Sequence, residues 1–206
     1  MGMVVIRMTS SATSDAIPEQ VGERPAKKKP EQVEVKDLRE DPRYFIDMSV
    51  PLSGFDPLAL QGTGMTELYL RVALEHSGSA VLLQLYRHCA TEREEKKKDP
   101  NRDFRLPEAR HVSAVACAIA KMWYLGAWYG FSAQVYAVLV EEAGKTAERL
   151  APNEPYMVSP DAYVNGLLWQ LTGGHVPGAK PPGFGSWAKR PVPIPPTPTG
   201  PYEETI

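Results

Sequence analysis

Apolar residues recur at helical spacing in several stretches of this chain, and polar or proline-glycine stretches separate them. Pro42 to Gly64 reads as short helical turns punctuated by Pro51, Gly54, Pro57 and Gly62. Thr66 is the expected N-cap of a segment running to His76, with Met65, Leu68, Val72 and Ala73 on one face. Gly78 stops that segment, and Leu82, Leu85, Tyr86 and Cys89 then form the stripe of a second helix. This helix runs out into Glu92-Arg93-Glu94-Glu95-Lys96-Lys97-Lys98, which reads as a solvated end with i,i+4 pairs such as Glu92–Lys96.

Pro107 at a first helical turn opens the main element. From Val112 to Trp128 its only charge is Lys121, so the helix is apolar nearly all round. A membrane span needs roughly 20 apolar residues, and 111–140 approaches that length. Lys121 in mid-run, the interruptions at Gly126 and Gly130, and the polar Ser132 and Gln134 favour instead a central helix enclosed by others. A further helix, Ser132 to Leu150, turns Val135, Leu139 and Ala143 inward. Pro152, Pro155 and Pro160 make a linker. Ser159 as N-cap, Pro160 at N1 and Asp161 in the first turn then start a helix-like run through Trp169 that Gly173-Gly174 stops.

No alternating apolar-polar strand pattern persists. The expected fold is all-α: a single helical domain, 41–174, around a buried central helix. Residues 1–40, with Lys27-Lys28-Lys29 and few large apolar groups, read as a disordered tail. Residues 175–206 read as a long Pro/Gly-rich C-terminal arm.

Composition narrows the function classes. The chain has 206 residues, 43% apolar and 23% charged, ordinary values for a soluble globular protein. A net charge of -2 supplies no basic footprint for nucleic acid. Cys89 and Cys117 lie in apolar helical patterns and read as buried free thiols. Val4-Val5-Ile6 is broken at once by Arg7, and Arg7 and Arg24 are isolated, so neither a secretory nor a twin-arginine signal is recognised. The expected location is cytoplasmic on this sequence alone, and periplasmic if the chain is exported with a signal-bearing partner.

Catalytic chemistry is not evident. His76, His88, His111 and His175 show no metal-ligand spacing, and the adjacent His88 and Cys89 point different ways on a helix. Glu141-Glu142 is a neighbouring surface pair. Gly62-Thr63-Gly64 lacks the preceding strand and third glycine of a phosphate loop. Met122-Trp123-Tyr124 and Trp128-Tyr129 read as core packing. No catalytic, cofactor-binding or metal-binding residue is assigned, and the chain is not expected to be an enzyme.

The C-terminal arm is the expected contact element. Pro lacks the amide donor and fixes φ, so Pro177 to Pro191 can neither pair into a sheet nor continue a helix. It nevertheless carries Phe184 and Trp187, large apolar groups that gain by leaving water. Arg190-Pro191-Val192-Pro193-Ile194-Pro195-Pro196 also fits a basic-x-x-P-x-x-P ligand in polyproline form. On that motif the alternative reading is a free-standing helical adaptor.

Four segments together resemble the small (gamma) subunit of membrane-associated FAD-dependent sugar dehydrogenases, among them sorbitol, fructose, gluconate and glucose dehydrogenases. These are Phe45 to Leu60 with Leu52-Ser53-Gly54-Phe55, Met122-Trp123-Tyr124-Leu125-Gly126, Tyr163 to Trp169, and Pro182-Gly183-Phe184-Gly185-Ser186-Trp187-Ala188-Lys189-Arg190-Pro191. The resemblance spans roughly Phe45 to Pro191, with an insertion at about Gly130 to Val158. It implies an accessory role. The small subunit clasps and supports maturation of a large FAD-containing subunit of the GMC oxidoreductase type, which does the chemistry, and a cytochrome c subunit passes electrons on. The implied interface candidates are Tyr163, Trp169, Pro182, Phe184, Trp187 and Arg190. Two features depart from the family: the twin-arginine signal, and a cysteine before the Pro-Gly coil, where His175-Val176-Pro177 stands here.

Overall fold

A computed structural model describes residues 26–173 and Val176. They form an all-α body: α1 (Val35–Glu40), α2 (Pro42–Ser53), α3 (Pro57–Gly62), α4 (Thr66–Ser77), α5 (Ser79–Lys98), α6 (Arg110–Leu125), α7 (Ala133–Lys145), α8 (Pro160–Val164) and α9 (Leu167–Thr172). Two short strands, β1 (Ala127–Trp128) and β2 (Tyr156–Met157), pair antiparallel, with Ala127 opposite Met157 and Trp128 opposite Tyr156. They are too short to leave an alternating pattern in the sequence.

The expected central helix is α6. It packs against α2, α4, α5, α7 and α9, burying Val115, Ile119, Met122 and Trp123. Its enclosure is incomplete, because Cys117 and Lys121 share an exposed stripe. The reading of Cys117 as buried is therefore corrected, while Cys89 is buried as expected. α6 is 16 residues long, and among the described residues no helix is long and apolar enough to cross a membrane.

Segment ends differ from the sequence reading where a distant residue decides them. Pro51 does not interrupt α2, which runs unbroken for 12 residues. Pro51 offers no amide to the carbonyl of Asp47 four residues back, and Arg93 on α5 donates to that oxygen instead. Thr66 is the first residue of α4 and not its cap; Met65 holds the cap position. Glu92 is not part of the solvated run. It is buried, with Arg102 2.8 Å from Oε1 and the Arg105 amide donating to Oε2, so Lys96 has no Glu92 partner. The exposed pairs are Glu94–Lys97 and Glu95–Lys98.

The tail reading reached too far into the chain. Val33 and Leu38 are fully buried, and α1 packs on α2 and α5. Lys28 donates its amide to Tyr44 Oη at 3.0 Å, and Arg87 donates to Val33 O at 3.1 Å. Two apolar side chains with polar anchors suffice to order a segment too polar to form a core of its own.

Candidate partner interface

Three of the segments that carry the family resemblance meet in one place. Gly126 ends α6 with φ +68°, a left-handed conformation in which a side chain costs energy. It also lies directly under α8: a Cβ at position 126 would stand 2.2 Å from Ala162 O and 2.7 Å from Tyr163 N. Gly166, between α8 and α9, makes the reciprocal approach, and a Cβ there would lie 2.8 Å from Tyr124 O. Val158 N donates to Gly126 O at 3.0 Å and secures the entry to α8.

Tyr124 joins the third segment to this junction. Its hydroxyl donates to Ser53 O at 2.5 Å, and its ring stands edge-on to Phe55 at 6.0 Å. The Leu52-to-Phe55 turn, the end of α6 and the α8–α9 pair are thus held together by one tyrosine and two glycines. Sequence patterning identified each segment but not their meeting. The only local signal was a glycine after each apolar run, which states that a helix ends and not what approaches it.

Ser159 caps α8 as expected, accepting from Ala162 N at 2.9 Å. The run from Ser159 to Trp169 is nevertheless two helices, broken at Asn165-Gly166, because Gly166 must reach Tyr124. Tyr163 and Trp169, the two interface candidates among the described residues, are half-buried against each other. Their rings meet edge-on at 5.6 Å, and Trp169 Nε1 donates to Tyr163 O at 2.9 Å. Val164 and Leu171 on the same pair of helices are exposed, Leu171 at 61%. Pro182, Phe184, Trp187 and Arg190 lie outside the described residues.

Those residues weighed for chemistry that the structure describes do not converge. Among the described residues no three His, Cys, Asp or Glu side chains are grouped to hold a metal ion. His88 Nε2 engages Arg105 O at 2.7 Å. Burial pushes the Cys89 thiol up to about 12, which disfavours the reactive thiolate. Trp123 is fully enclosed, stacked on Phe45 at 6.1 Å and edge-on to Tyr69 at 4.8 Å. A groove of 540 Å³ runs between the α2–α3 turn and the end of α5, lined by Pro51, Phe55, Pro57, Phe104 and Lys96.

No family model matches the chain, and no curated protein or solved structure matches it.

Proposed function

We propose that this chain is a non-catalytic accessory subunit that binds and stabilises the FAD-containing large subunit of a GMC-type sugar or alcohol dehydrogenase. The observation that carries this reading is the junction at Tyr124, Gly126 and Gly166. Segments that resemble the small subunit, far apart in sequence, pack on one another there, and the described body ends beside them at α9. The flavin belongs to the partner, and a cytochrome c subunit is the expected electron acceptor of the assembly.

The α8–α9 pair supplies a surface suited to such a role. Tyr163 and Trp169 are fixed against each other before any partner arrives, so little side-chain entropy is lost on docking. Val164 and Leu171 leave apolar area beside them for a partner to cover. Binding to the folded large subunit and not to its unfolded form stabilises it by mass action.

Co-expression with the genomically neighbouring open reading frames tests the reading. The chain should co-purify with a yellow flavoprotein whose flavin content falls when the chain is omitted. Leu171→Glu should weaken that association while leaving the melting temperature of the free chain unchanged. A chain that purifies alone and leaves the flavin loading of every neighbour unaltered would refute the proposal.

A further inference from the structure

We propose that His76 is a pH-sensitive clasp that closes the strap 146–158 over the end of α4, and that its protonation loosens this strap without unfolding the helical core. The imidazole is buried near the C-terminus of α4, stacked on Trp128 of β1 at 4.8 Å and tilted against Tyr156 of β2 at 5.6 Å. Its Nε2 lies 3.1 Å from Tyr156 Oη. One side chain therefore touches both strands of the only sheet among the described residues; β2 lies within the strap, and β1 is the segment it pairs with.

Leu150 and Val158 also pack, partly buried, against the core, and Val158 N donates to Gly126 O at 3.0 Å. Ala151 N donates to Glu75 O at 2.8 Å, and Tyr136 Oη donates to Ala151 O at 3.0 Å. Asn153 exchanges hydrogen bonds with the backbone of Phe131. Glu148 holds Ser79 and pairs with Arg39.

Protonation changes the interior of this clasp. A neutral imidazole can share one proton with Tyr156, whereas the cation carries two donors and a charge into a site lined by indole and phenol rings. The titratable groups next to it are Tyr156 from β2 and Glu75 beside it on α4; the strap's Glu148 carboxylate is engaged at Ser79 and Arg39. From β1 it meets only the uncharged indole of Trp128. Burial accordingly holds the imidazole below the ordinary histidine value. A depressed folded value means that closure is favoured above the open-state value of about 6.5 and lost as pH falls below it.

Hydrogen exchange on the full chain tests the clasp, with labelling times scaled for intrinsic rates at about pH 7.5 and about pH 5.5. Opening that takes up one proton should speed exchange in 127–131 and 151–158 by up to about tenfold across that interval. Amides in α2 and α5 should keep their protection. His76→Phe, which retains a ring but cannot titrate, should abolish the pH dependence in the strap. Strap exchange equal at both pH values, or a dependence that survives in His76→Phe, would overturn the proposal. Should His76→Phe fail to fold, an NMR titration of the unsubstituted chain decides, with His76 assigned through its proximity to the Trp128 indole. A midpoint depressed below about 6.5 supports the clasp, and an ordinary midpoint overturns it.

Discussion

Arg93 donates to the carbonyl oxygen of Asp47, the acceptor that Pro51 leaves without an amide. A proline inside a helix removes one i→i−4 hydrogen bond and crowds the preceding turn. Here a guanidinium from α5 replaces the missing donor, and it also pairs with the Asp47 carboxylate at 3.6 Å. The packing of α2 on α5 is thereby tied to the proline that would otherwise weaken α2.

This relationship predicts coupling between two positions. Arg93→Ala should destabilise the native chain by about 0.5–1.5 kcal/mol, the usual net worth of a hydrogen bond, because the Asp47 carbonyl is only part-buried. In a Pro51→Ala background the new amide can take the Asp47 carbonyl, and Arg93→Ala should cost less. Denaturant unfolding of the four chains measures the difference as a coupling energy. Additive effects would mean that the guanidinium does not substitute for the lost amide.

Glycine is required at position 126 for two separable reasons. Gly126→Ala should lower stability by at least about 2–3 kcal/mol, combining left-handed strain with the collision against α8. Gly54→Ala is the control: Gly54 has φ +77°, but its Cβ would meet nothing within 4 Å. Its cost should stay near about 1–2 kcal/mol. Equal losses at the two sites, read from thermal melts, would show that α8 gives way.

Trp123→Ala should cost about 3–5 kcal/mol, the range for deleting a buried aromatic. Trp123→Phe should cost less, because the indole nitrogen makes no hydrogen bond among the described residues and the contacts with Phe45 and Tyr69 are largely kept. Near-ultraviolet circular dichroism and chemical unfolding check both variants. An unchanged melting temperature for Trp123→Ala would be inconsistent with its place in the core.

Glu148 acts as a cap supplied from 69 residues away. Gly78, the N-cap of α5, has no side chain to offer, and Glu148 accepts from Ser79 N at 2.8 Å and from Ser79 Oγ at 2.6 Å. Burial pushes this carboxyl up, but the Ser79 hydrogen bonds and the Arg39 guanidinium outweigh it and hold it below the usual glutamate value. Its contribution is therefore present above the unfolded value and lost as pH falls through the folded one. Glu148→Gln should remove that part of the acid dependence and lower stability at neutral pH by about 0.5–2 kcal/mol. An acid-unfolding profile identical to that of the parent chain would contradict this assignment.

The proposed complex predicts that Phe184→Ala with Trp187→Ala costs at least about 2 kcal/mol of partner affinity if either aromatic is a hot spot. Titration against the flavoprotein and melting of the free chain are read together. Lost stability with unchanged affinity would assign these aromatics to the fold instead of the interface.

The sequence by itself determined what depends on neighbours along the chain. Periodicity placed the apolar faces of α5, α6 and α7, Ser159 and Pro160 fixed the start of α8, and the glycines at 78, 126 and 173 marked helix ends, because each of these acts within one or two turns. Only the tertiary structure decided the rest. It kept Pro51 inside a helix through Arg93, turned Glu92 inward through Arg102, split the run at Gly166 to meet Tyr124, and ordered residues 26–40 on α2 and α5. It also left Cys117 exposed on a helix that reads as apolar all round. In every such case the deciding group lies on another element, and hydrophobic patterning carries no information about which polar partner will arrive from a distance.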